Sequence, residues 1–205
     1  MKTDDLKRLA KRSESEERSR AAAAGLPELA AADGLLDVAV AEMDSPIGGL
    51  MVAVTPRGLA CIAFEGEEYR DEVLGRIARE ISPRILPSAR GTDDWRRELE
   101  QYFAAERTRF DLRVDRRLIH GIARDVLVQT SRIGFGETNT YGEIAKKIGH
   151  PTAARAVGRA LGANPIPIVI PCHRVIGAGG KLTGYAGGLD RKIALLELEG
   201  VLAPS

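Results

Sequence analysis

Two adjacent residues near the C-terminal end of the chain, Cys172 and His173, could carry out nucleophilic chemistry together, and Arg174 follows them. A thiol has a pKa of about 8.5, and nearby basic or cationic groups raise its thiolate fraction and therefore its nucleophilicity. The preceding residues 164–171 are apolar apart from Asn164 and hold three prolines in seven positions, which predicts an extended, buried segment. Neighbouring side chains of an extended segment point to opposite sides, so a bend or a bridging water would have to link thiol and imidazole.

A carboxylate could orient the histidine, as bases in nucleophilic catalysis require. Glu199 ends a helix predicted over residues 189–199, directly before Gly200, where the helix dipole disfavours a negative charge. A partner such as His173 would offset that cost. Glu197 has the same disadvantage, so a solvated surface acid is an equally good interpretation of Glu199. The other cysteine, Cys61, has no charged neighbour within three positions, which is typical of an inert core thiol.

A helix-turn-helix is expected to position these groups. The sequence Thr140-Tyr141-Gly142-Glu143 has the form of a capping box and predicts a short helix, followed by a three-residue turn at residues 149–151 and a second helix. The core-facing positions of the second helix are apolar, and its opposite face has only arginine and glycine: Arg155, Gly158, Arg159 and Gly162. Glycine in a helix costs roughly 1 kcal/mol relative to alanine. Such a face indicates close approach to DNA or, alternatively, to a neighbouring helix.

Strands and helices are also predicted upstream. Residues 37–43, 50–55 and 59–64 form short apolar or alternating runs between turn-forming breaks, which predicts an antiparallel meander. Helices are expected over residues 67–81, 92–105 and 119–133, the last with Ile122, Val126 and Ile133 inside. An aromatic and apolar stripe on the second of these helices predicts core packing rather than a ligand site, and its members are Trp95, Leu99, Tyr102 and Phe103.

The charge is unevenly distributed along the 205 residues, although the whole chain has a net charge of +1. Residues 41–112 hold 10 basic and 14 acidic groups, whereas residues 113–205 hold 13 basic and 7 acidic groups. This contrast favours an α/β domain at 37–112 and a DNA-binding domain at 113–205. Residues 1–36 are charged and Ala-rich, which predicts a partly disordered tail. A solvated basic face on an ordinary domain would give the same counts.

Composition excludes several classes of protein. With 44% hydrophobic residues the chain is not a disordered one, and it has no run of roughly 18 apolar residues that could span a membrane. No apolar segment near the N-terminus would form a signal peptide, so a cytoplasmic location is expected. Two cysteines exclude a disulfide scaffold and a cysteine-rich zinc module.

The cysteine lies within a longer motif. Residues 170–175 read Ile-Pro-Cys-His-Arg-Val, preceded by Asn164-Pro165 and by Ala154-Arg155-Ala156-Val157-Gly158. These residues closely resemble the signature of the 6-O-alkylguanine-DNA alkyltransferases, also called methylated-DNA-protein-cysteine methyltransferases. The resemblance is strong over residues 135–202 and weaker over residues 37–115. It implies an α+β fold, in which a ribonuclease-H-like α/β domain precedes a winged-helix-like domain that binds DNA and carries the reaction.

The resemblance implies a role for each group at the site. Cys172 would accept the alkyl group from the 6-oxygen of guanine as a thioether, irreversibly and once per molecule. His173 would remove the thiol proton through a water, with Glu199 holding the imidazole. Asn164 would join the helix-turn-helix to the cysteine segment, and Tyr141 would help rotate the nucleotide and donate toward guanine N3.

The implied partner is double-stranded DNA with alkylated bases, bound in the minor groove by a monomer without sequence preference. Arg155 would enter the base stack in place of the flipped nucleotide. Arg159, Thr152 and Ala154 would contact the same DNA. Small residues suit a minor-groove helix, since a major-groove helix would need longer side chains to read base edges.

A loop of small residues would wall the guanine pocket, with Tyr185, Ala186 and Gly187 on one side and Val175 on the cysteine side. Some family members have serine where Ala186 stands, so backbone N–H groups would carry more of the contact to the 6-oxygen here. The loop is therefore expected to admit adducts bulkier than methyl, and 4-O-alkylthymine is a further candidate substrate. The implied chemistry needs no metal or organic cofactor. Some family members have a structural zinc in the first domain, but none is expected here because that domain offers only Cys61 as a cysteine ligand.

The sequence departs from the family pattern at His120-Gly121, where an aromatic-Gln pair is common, and at Gly134-Phe135-Gly136, where a proline is usual. Three other functions stay open on the residues. A non-enzymatic damage sensor of the same family would have tryptophan at the acceptor position, where this chain has Cys172. A methylation-activated transcription factor would need an additional zinc domain with four cysteines, and this chain has only two. A thiol hydrolase or a redox-sensing regulator could use Cys172 and His173.

Overall fold

A four-stranded sheet forms the first half of the molecule. The computed structural model describes residues 36–203, without the side chains of residues 67–69, so residues 1–35 of the predicted tail lie outside the described residues. The strands are β1 (Val38–Met43), β2 (Leu50–Thr55), β3 (Gly58–Phe64) and β4 (Ile85–Pro87). Their order is β3-β2-β1-β4, in which β1 to β3 are antiparallel and β4 is parallel to β1. The predicted antiparallel meander is confirmed by β1 to β3. Strand β4 was not predicted, because its three residues are too few to show an alternation of apolar and polar side chains.

Each face of this sheet is covered by one helix. Helix α1 (Glu67–Glu80) packs its buried Ile77 on the face that holds Cys61. Helix α2 (Asp93–Phe103) follows a 3₁₀ turn and packs Trp95 and Leu99 with residues of the opposite face. Burial raises the pKa of Cys61 to about 12, which makes it the inert core thiol that its apolar sequence context predicts.

The second half is mostly helical. It contains α3 (Ile122–Thr130), a two-stranded parallel ladder of β5 (Asn139–Thr140) and β6 (Val175–Ile176), α4 (Tyr141–Lys147), α5 (Ala154–Gly162) and α6 (Leu189–Leu198). Helices α3, α4 and α5 pack against one another. The predicted capping box is confirmed, since Glu143 N–H donates to the Thr140 hydroxyl and the Glu143 carboxylate accepts from Thr140 N–H.

Two details of the predicted helices are wrong. The helix expected over residues 119–133 is shorter, because Gly121 with φ of 55° lies at its N-cap outside helical geometry. Ile122, expected inside, is 43% exposed in the first turn, while Val126 and Ile133 are buried. The turn between α4 and α5 spans six residues rather than three, since the helices end and begin at Lys147 and Ala154.

The two halves share a continuous apolar core, which includes Phe64, Trp95 and Tyr102 from the first and Ile144, Val157 and Leu195 from the second. The edge of β3 opposite β2 forms hydrogen bonds with the segment that connects the two halves. Leu59 N–H donates to Arg113 O at 2.9 Å, and Asp115 N–H donates to Leu59 O at 2.7 Å. The boundary predicted at residues 112 and 113 falls in this connecting segment and stays a prediction. Within residues 36–203 no helix is long and apolar enough to cross a membrane.

Candidate active site

The segment that leads to Cys172 is a series of tight turns rather than the extended chain that its prolines predict. Ile170 N–H donates to Ile166 O at 2.9 Å, Val169 N–H donates to Pro167 O at 2.9 Å, and Ile168 has a φ of 73°. The expectation was wrong because proline excludes a helix but is fully compatible with turns. The predicted burial is confirmed, and β3 adds a hydrogen bond from Ile62 N–H to Pro165 O at 2.9 Å.

The thiol is held at the end of these turns by an asparagine. Cys172 begins a 3₁₀ turn and is 6% exposed. The Asn164 amide nitrogen donates to Ile170 O at 2.8 Å and lies 3.2 Å from Cys172 Sγ, while its amide oxygen accepts from Ile166 N–H at 3.0 Å. Asn164 therefore ties the end of α5 to the cysteine segment.

Burial raises the pKa of Cys172, although the Asn164 hydrogen bond acts in the opposite direction. The raised thiolate fraction that the neighbouring His173 and Arg174 suggest is therefore wrong for the resting protein. In this structure the Arg174 guanidinium is occupied elsewhere: it donates to both carboxylate oxygens of Glu199 and to Ile133 O. The thiol is neutral at rest and has to lose its proton during the reaction.

A buried carboxylate organises the groups behind the thiol. Glu199 Oε1 accepts from His173 Nε2 at 2.9 Å and from the Tyr102 hydroxyl at 2.6 Å, and Arg174 donates to Oε1 and Oε2 at 2.7 and 2.8 Å. Burial alone would raise the pKa of Glu199, but hydrogen bonds from His173 and Arg174 outweigh burial and lower it to about 2.

These contacts fix the state of the imidazole. Since Glu199 is ionised and accepts from all its neighbours, His173 Nε2 bears the hydrogen and Nδ1 holds the free electron pair. Burial lowers the pKa of His173, so the ring is neutral near pH 7. Nδ1 has no hydrogen-bond partner among the described residues. The arrangement is that of a neutral base next to a buried thiol.

Two members of this cluster were missed in the sequence. Tyr102 lies in the stripe interpreted as core packing, and it is fully buried, yet its hydroxyl reaches a carboxylate 97 positions away. In the sequence, Arg174 stands out only as a cation beside the thiol. No local pattern could connect either residue with Glu199, because the contacts form only when α2, which holds Tyr102, and the 3₁₀ turn that holds Arg174 pack against the end of α6.

The thiol opens onto a cavity of about 560 Å³ between α4, α5 and the loop before α6. Its lining residues are Tyr141, Ala154, Arg155, Gly158, Leu161, Gly162, Cys172, Thr183, Gly184, Tyr185 and Ala186. Six of the sequence-predicted site residues therefore line one cavity: Tyr141, Ala154, Arg155, Cys172, Tyr185 and Ala186. Burial raises the pKa of Tyr185 well above its ordinary value, so its hydroxyl stays protonated.

Four predicted residues lie elsewhere. Val175 is fully buried in β6, and Gly187 is buried against the Phe64 ring, so neither lines the cavity. Thr152 and Arg159 are exposed, the first just before α5 and the second one turn beyond Arg155. Both are on the outside of the helix-turn-helix, where a large partner could reach them.

Comparison with known proteins agrees with this architecture. The family model for the 6-O-methylguanine DNA methyltransferase ribonuclease-like domain matches residues 39–116, and the model for the DNA binding domain of the same family matches residues 122–201. The chain belongs to this family. The α+β fold predicted from the sequence, with a ribonuclease-like domain before a DNA-binding domain, is confirmed.

Relatives with the family name span most of the chain. A methylated-DNA–protein-cysteine methyltransferase of Mycolicibacterium paratuberculosis is 47% identical over 157 residues, which are 77% of this chain and 89% of the relative. One of Methanosarcina acetivorans is 43% identical over 157 residues, 77% of this chain and 95% of the relative. The crystal structure of Mycobacterium tuberculosis OGT in complex with DNA has a TM-score of 0.66 at 42% identity, covering 80% of this chain and 92% of that one.

The described residues hold no group of three or more His, Cys, Asp or Glu side chains arranged to bind a metal ion. The candidate site of this alkyltransferase family member consists of the thiol, the asparagine, the His173–Glu199 pair and the cavity.

Proposed function

We propose that the protein repairs DNA by transferring the alkyl group of 6-O-alkylguanine to its own Cys172. The observation that carries the proposal is the buried thiol at the cavity wall, with a neutral imidazole and an ionised carboxylate arranged behind it. Family membership supports the same chemistry, as the relatives are named methylated-DNA–protein-cysteine methyltransferases. In the reaction the S–C bond forms while the bond between the alkyl carbon and the 6-oxygen breaks.

His173 is the group that takes the thiol proton, relayed by a water to Nδ1, and Glu199 then stabilises the imidazolium. This pair works because Nε2 already donates to Glu199, so the electron pair of Nδ1 is left for the incoming proton. Asn164 positions Sγ. A thioether has no leaving group that water can displace, so each molecule reacts once.

Tyr141 is suited to assist the leaving guanine. Its ring lines the cavity next to Gly158, and its hydroxyl lies 3.3 Å from the Thr183 hydroxyl and 3.5 Å from Gly184 O. These are weak, solvent-accessible contacts that a base in the cavity can replace. The phenol would then donate toward N3 as negative charge develops on the guanine.

The outer face of α5 is the proposed DNA-binding surface. Arg155 is exposed at the cavity mouth, where its side chain can replace a flipped nucleotide in the stack, and Arg159, Thr152 and Ala154 would contact the flanking backbone. The small residues between them let the helix lie in the minor groove without reading sequence. We infer a monomer that acts in the cytoplasm on duplex DNA.

The pocket loop sets the substrate range. Ala186 and Gly184 line the cavity of about 560 Å³ with small residues, so the loop leaves room beyond a methyl group. We expect 6-O-benzylguanine to alkylate Cys172 at a rate measurable beside the methyl substrate, and 4-O-alkylthymine is a further candidate. Peptide mass spectrometry with both substrates measures the adducts on Cys172. If the methyl adduct forms and the benzyl adduct does not, the pocket is narrower than expected.

Stoichiometry tests the proposed function. Increasing amounts of protein are added to a fixed amount of duplex that contains 6-O-methylguanine. The number of lesions removed is expected to rise linearly with the amount of protein, by one lesion per protein molecule. Cys61→Ala is expected to leave the stoichiometry unchanged, whereas Cys172→Ser is expected to abolish lesion loss. Repair of many lesions per molecule would identify a hydrolase instead and overturn the proposal.

A further inference from the structure

Arg191 lies in the first turn of α6, directly after the pocket loop, residues 183–188. Four of the residues that line the cavity belong to this loop. A cation in the first turn is disfavoured, because the N-terminal end of a helix has a partial positive charge. The side chain is nevertheless mostly buried, with 25% of its surface exposed. Contacts outside α6 therefore compensate for the unfavourable position, and the site described above does not use them.

The guanidinium of Arg191 donates to three separate segments of the chain. Its Nε donates to Ile47 O at 2.7 Å, in the turn between β1 and β2. Its Nη1 donates to Gly187 O at 2.9 Å, in the pocket loop, and its Nη2 donates to Glu65 Oε1 at 3.0 Å, directly after β3. Hydrogen bonds from a charged donor are stronger than neutral ones. One side chain therefore connects the pocket loop with two segments of the first domain.

The acceptors in the first domain belong to an ordered turn. Gly48 N–H donates to Ser45 O at 3.0 Å, and Glu65 N–H donates to Gly49 O at 2.9 Å, so the chain around Ile47 O is fixed by its own hydrogen bonds. The Glu65 side chain is 61% exposed, and an ion pair with such a carboxylate contributes little to stability. The two bonds to main-chain carbonyl groups therefore define the geometry.

The Phe64 ring lies between the arginine and the pocket loop. The guanidinium carbon is 5.0 Å from the ring centroid, and a cation over an aromatic face is attracted to it. The same ring packs edge-on against Tyr185 with centroids 5.9 Å apart, and it lies close to Gly187, where an added Cβ would be 2.6 Å away. The pocket loop therefore rests on this ring, and Arg191 ties it there.

We propose that Arg191 is a positioning residue for the transfer reaction, which holds the pocket loop against the first domain and thereby limits how far the cavity opens beside Cys172. This inference rests on the proposed function. Tyr185 and Ala186 line the cavity and directly precede Gly187, so a shift of the Gly187 carbonyl moves the cavity wall. Methyl transfer depends on a close wall, because a misplacement of about 1 Å can slow a reaction 100-fold. A larger adduct is less sensitive to a wider cavity.

The variants separate the shape of the guanidinium from its charge. Arg191→Gln removes both, whereas Arg191→Lys keeps the charge but has a single nitrogen, which cannot reproduce the planar fork that reaches two carbonyl groups. Glu65→Gln removes the charge of the ion pair and keeps an acceptor for Nη2. Arg79→Gln, at an exposed position of α1, is the matched control. Far-UV circular dichroism confirms that each variant is folded.

Hydrogen–deuterium exchange of the peptide that covers residues 183–188 reports on the loop without any reaction. We expect this peptide to exchange faster in Arg191→Gln and Arg191→Lys than in the wild type, while Glu65→Gln and Arg79→Gln behave as the wild type. Unchanged exchange in folded Arg191→Gln would overturn the positioning role, and faster exchange in Glu65→Gln would overturn its assignment to the carbonyl bonds. If Arg191→Gln does not fold, Arg191→Lys decides the same question.

Single-turnover transfer measures the effect on substrate range. We expect Arg191→Gln to slow transfer from 6-O-methylguanine in duplex DNA by roughly tenfold and transfer from 6-O-benzylguanine by less, so the benzyl-to-methyl rate ratio rises. A smaller fraction of active protein would slow both reactions equally, so an unchanged ratio would contradict the role in substrate range. If the wild type transfers no methyl group, the proposed function is wrong, whereas the loop exchange still judges Arg191.

Discussion

At the scale of single residues, the site holds the Cys172 thiol neutral at rest and places a neutral base beside it. Burial keeps the Cys172 proton in place, and burial also keeps His173 neutral and able to accept it. Glu199 stays ionised because His173, Arg174 and Tyr102 all donate to it. Because the thiolate is the nucleophile, the resting thiol reacts only after its proton has been removed.

Replacing Glu199 with glutamine tests this arrangement. We expect Glu199→Gln to lower the free energy of unfolding by about 3–5 kcal/mol, because Arg174 is left as a buried charge without a partner. Methyl transfer is expected to slow as well, since His173 loses the group that stabilises its protonated form. Chemical denaturation and single-turnover transfer at pH 7 measure the two effects. The exposed Glu106→Gln is the control, and a loss of stability as small as that of the control would contradict the role of Glu199.

The same residue sets a pH dependence. The pKa of Glu199 is about 2 in the folded protein and 4.5 ordinarily, so its contribution to stability is complete above 4.5 and is lost as pH falls toward 2. Unfolding free energy is therefore expected to decrease with acidification more steeply in the wild type than in Glu199→Gln. Denaturation curves at several pH values between 5 and 3 measure the slopes, and equal slopes would show that Glu199 is not preferentially ionised in the fold.

The adjacency of Cys172 and His173 was visible in the sequence, and the doubtful placement of Glu199 at a helix end was a usable hint. The remaining partners were not predictable, because Arg174 and Tyr102 reach Glu199 from 25 and 97 positions away. Nor could the sequence show that burial affects the pKa of the Cys172 thiol more strongly than its basic neighbours do. That balance depends on how completely the turns before Cys172 exclude water.

At the scale of secondary-structure elements, α5 combines two opposite faces. Val157, Ala160 and Leu161 are buried in the core, while Arg155 and Arg159 are exposed. The 3.6-residue repeat of the sequence predicted this division. The proline-rich segment after α5 was predicted wrongly as extended, since turn geometry depends on specific backbone angles such as the positive φ of Ile168, which no composition rule indicates.

The glycines on the outer face of α5 give a prediction for this element. An added Cβ at Gly158 would lie 3.7 Å from the Tyr141 ring, an ordinary contact, so Gly158→Ala is expected to stabilise the free protein by about 1 kcal/mol. The same methyl group would stand between the helix and the DNA, so we expect several-fold weaker duplex binding. Thermal melting and fluorescence anisotropy measure the two effects.

The control for this prediction is Gly75→Ala in α1, where the neighbouring atom is the flexible end of Arg79. It is expected to stabilise the protein in the same way and to leave DNA binding unchanged. If Gly158→Ala also binds duplex DNA with wild-type affinity, the glycine does not serve close approach to DNA.

At the scale of the whole molecule, the first domain completes the site of the second. Tyr102 on α2 donates to Glu199, and the Phe64 ring at the end of β3 packs edge-on against Tyr185 with centroids 5.9 Å apart. Arg191 on α6 lies over the Phe64 ring at 5.0 Å. The division into two domains and their opposite net charges could be predicted from the sequence, but the docking between them could not, because it rests on contacts between distant residues.

Docking is tested at Gly187, where an added Cβ would lie 2.6 Å from the Phe64 ring. We expect Gly187→Ala to destabilise the protein by about 1–3 kcal/mol and to slow transfer, since the ring or the loop has to move. Combining it with Phe64→Ala should cost less than the sum of the two single changes, because the clash is removed. Denaturation of the four proteins gives the coupling energy.

Gly184→Ala is the matched control in the same loop, because no heavy atom lies within 4 Å of its added Cβ. It is expected to leave stability close to that of the wild type. Strict additivity of Gly187→Ala and Phe64→Ala would contradict the close contact between the pocket loop and the first domain.

Transfer of a methyl group to Cys172 is tested most directly by the mass of the protein after reaction. The protein is incubated with duplex DNA that contains a single 6-O-methylguanine, and intact and peptide mass spectra are recorded. We expect a gain of one methyl group, located on Cys172, with unmodified guanine left in the DNA. An unchanged protein mass beside an intact lesion, or a methyl group on Cys61, would contradict it.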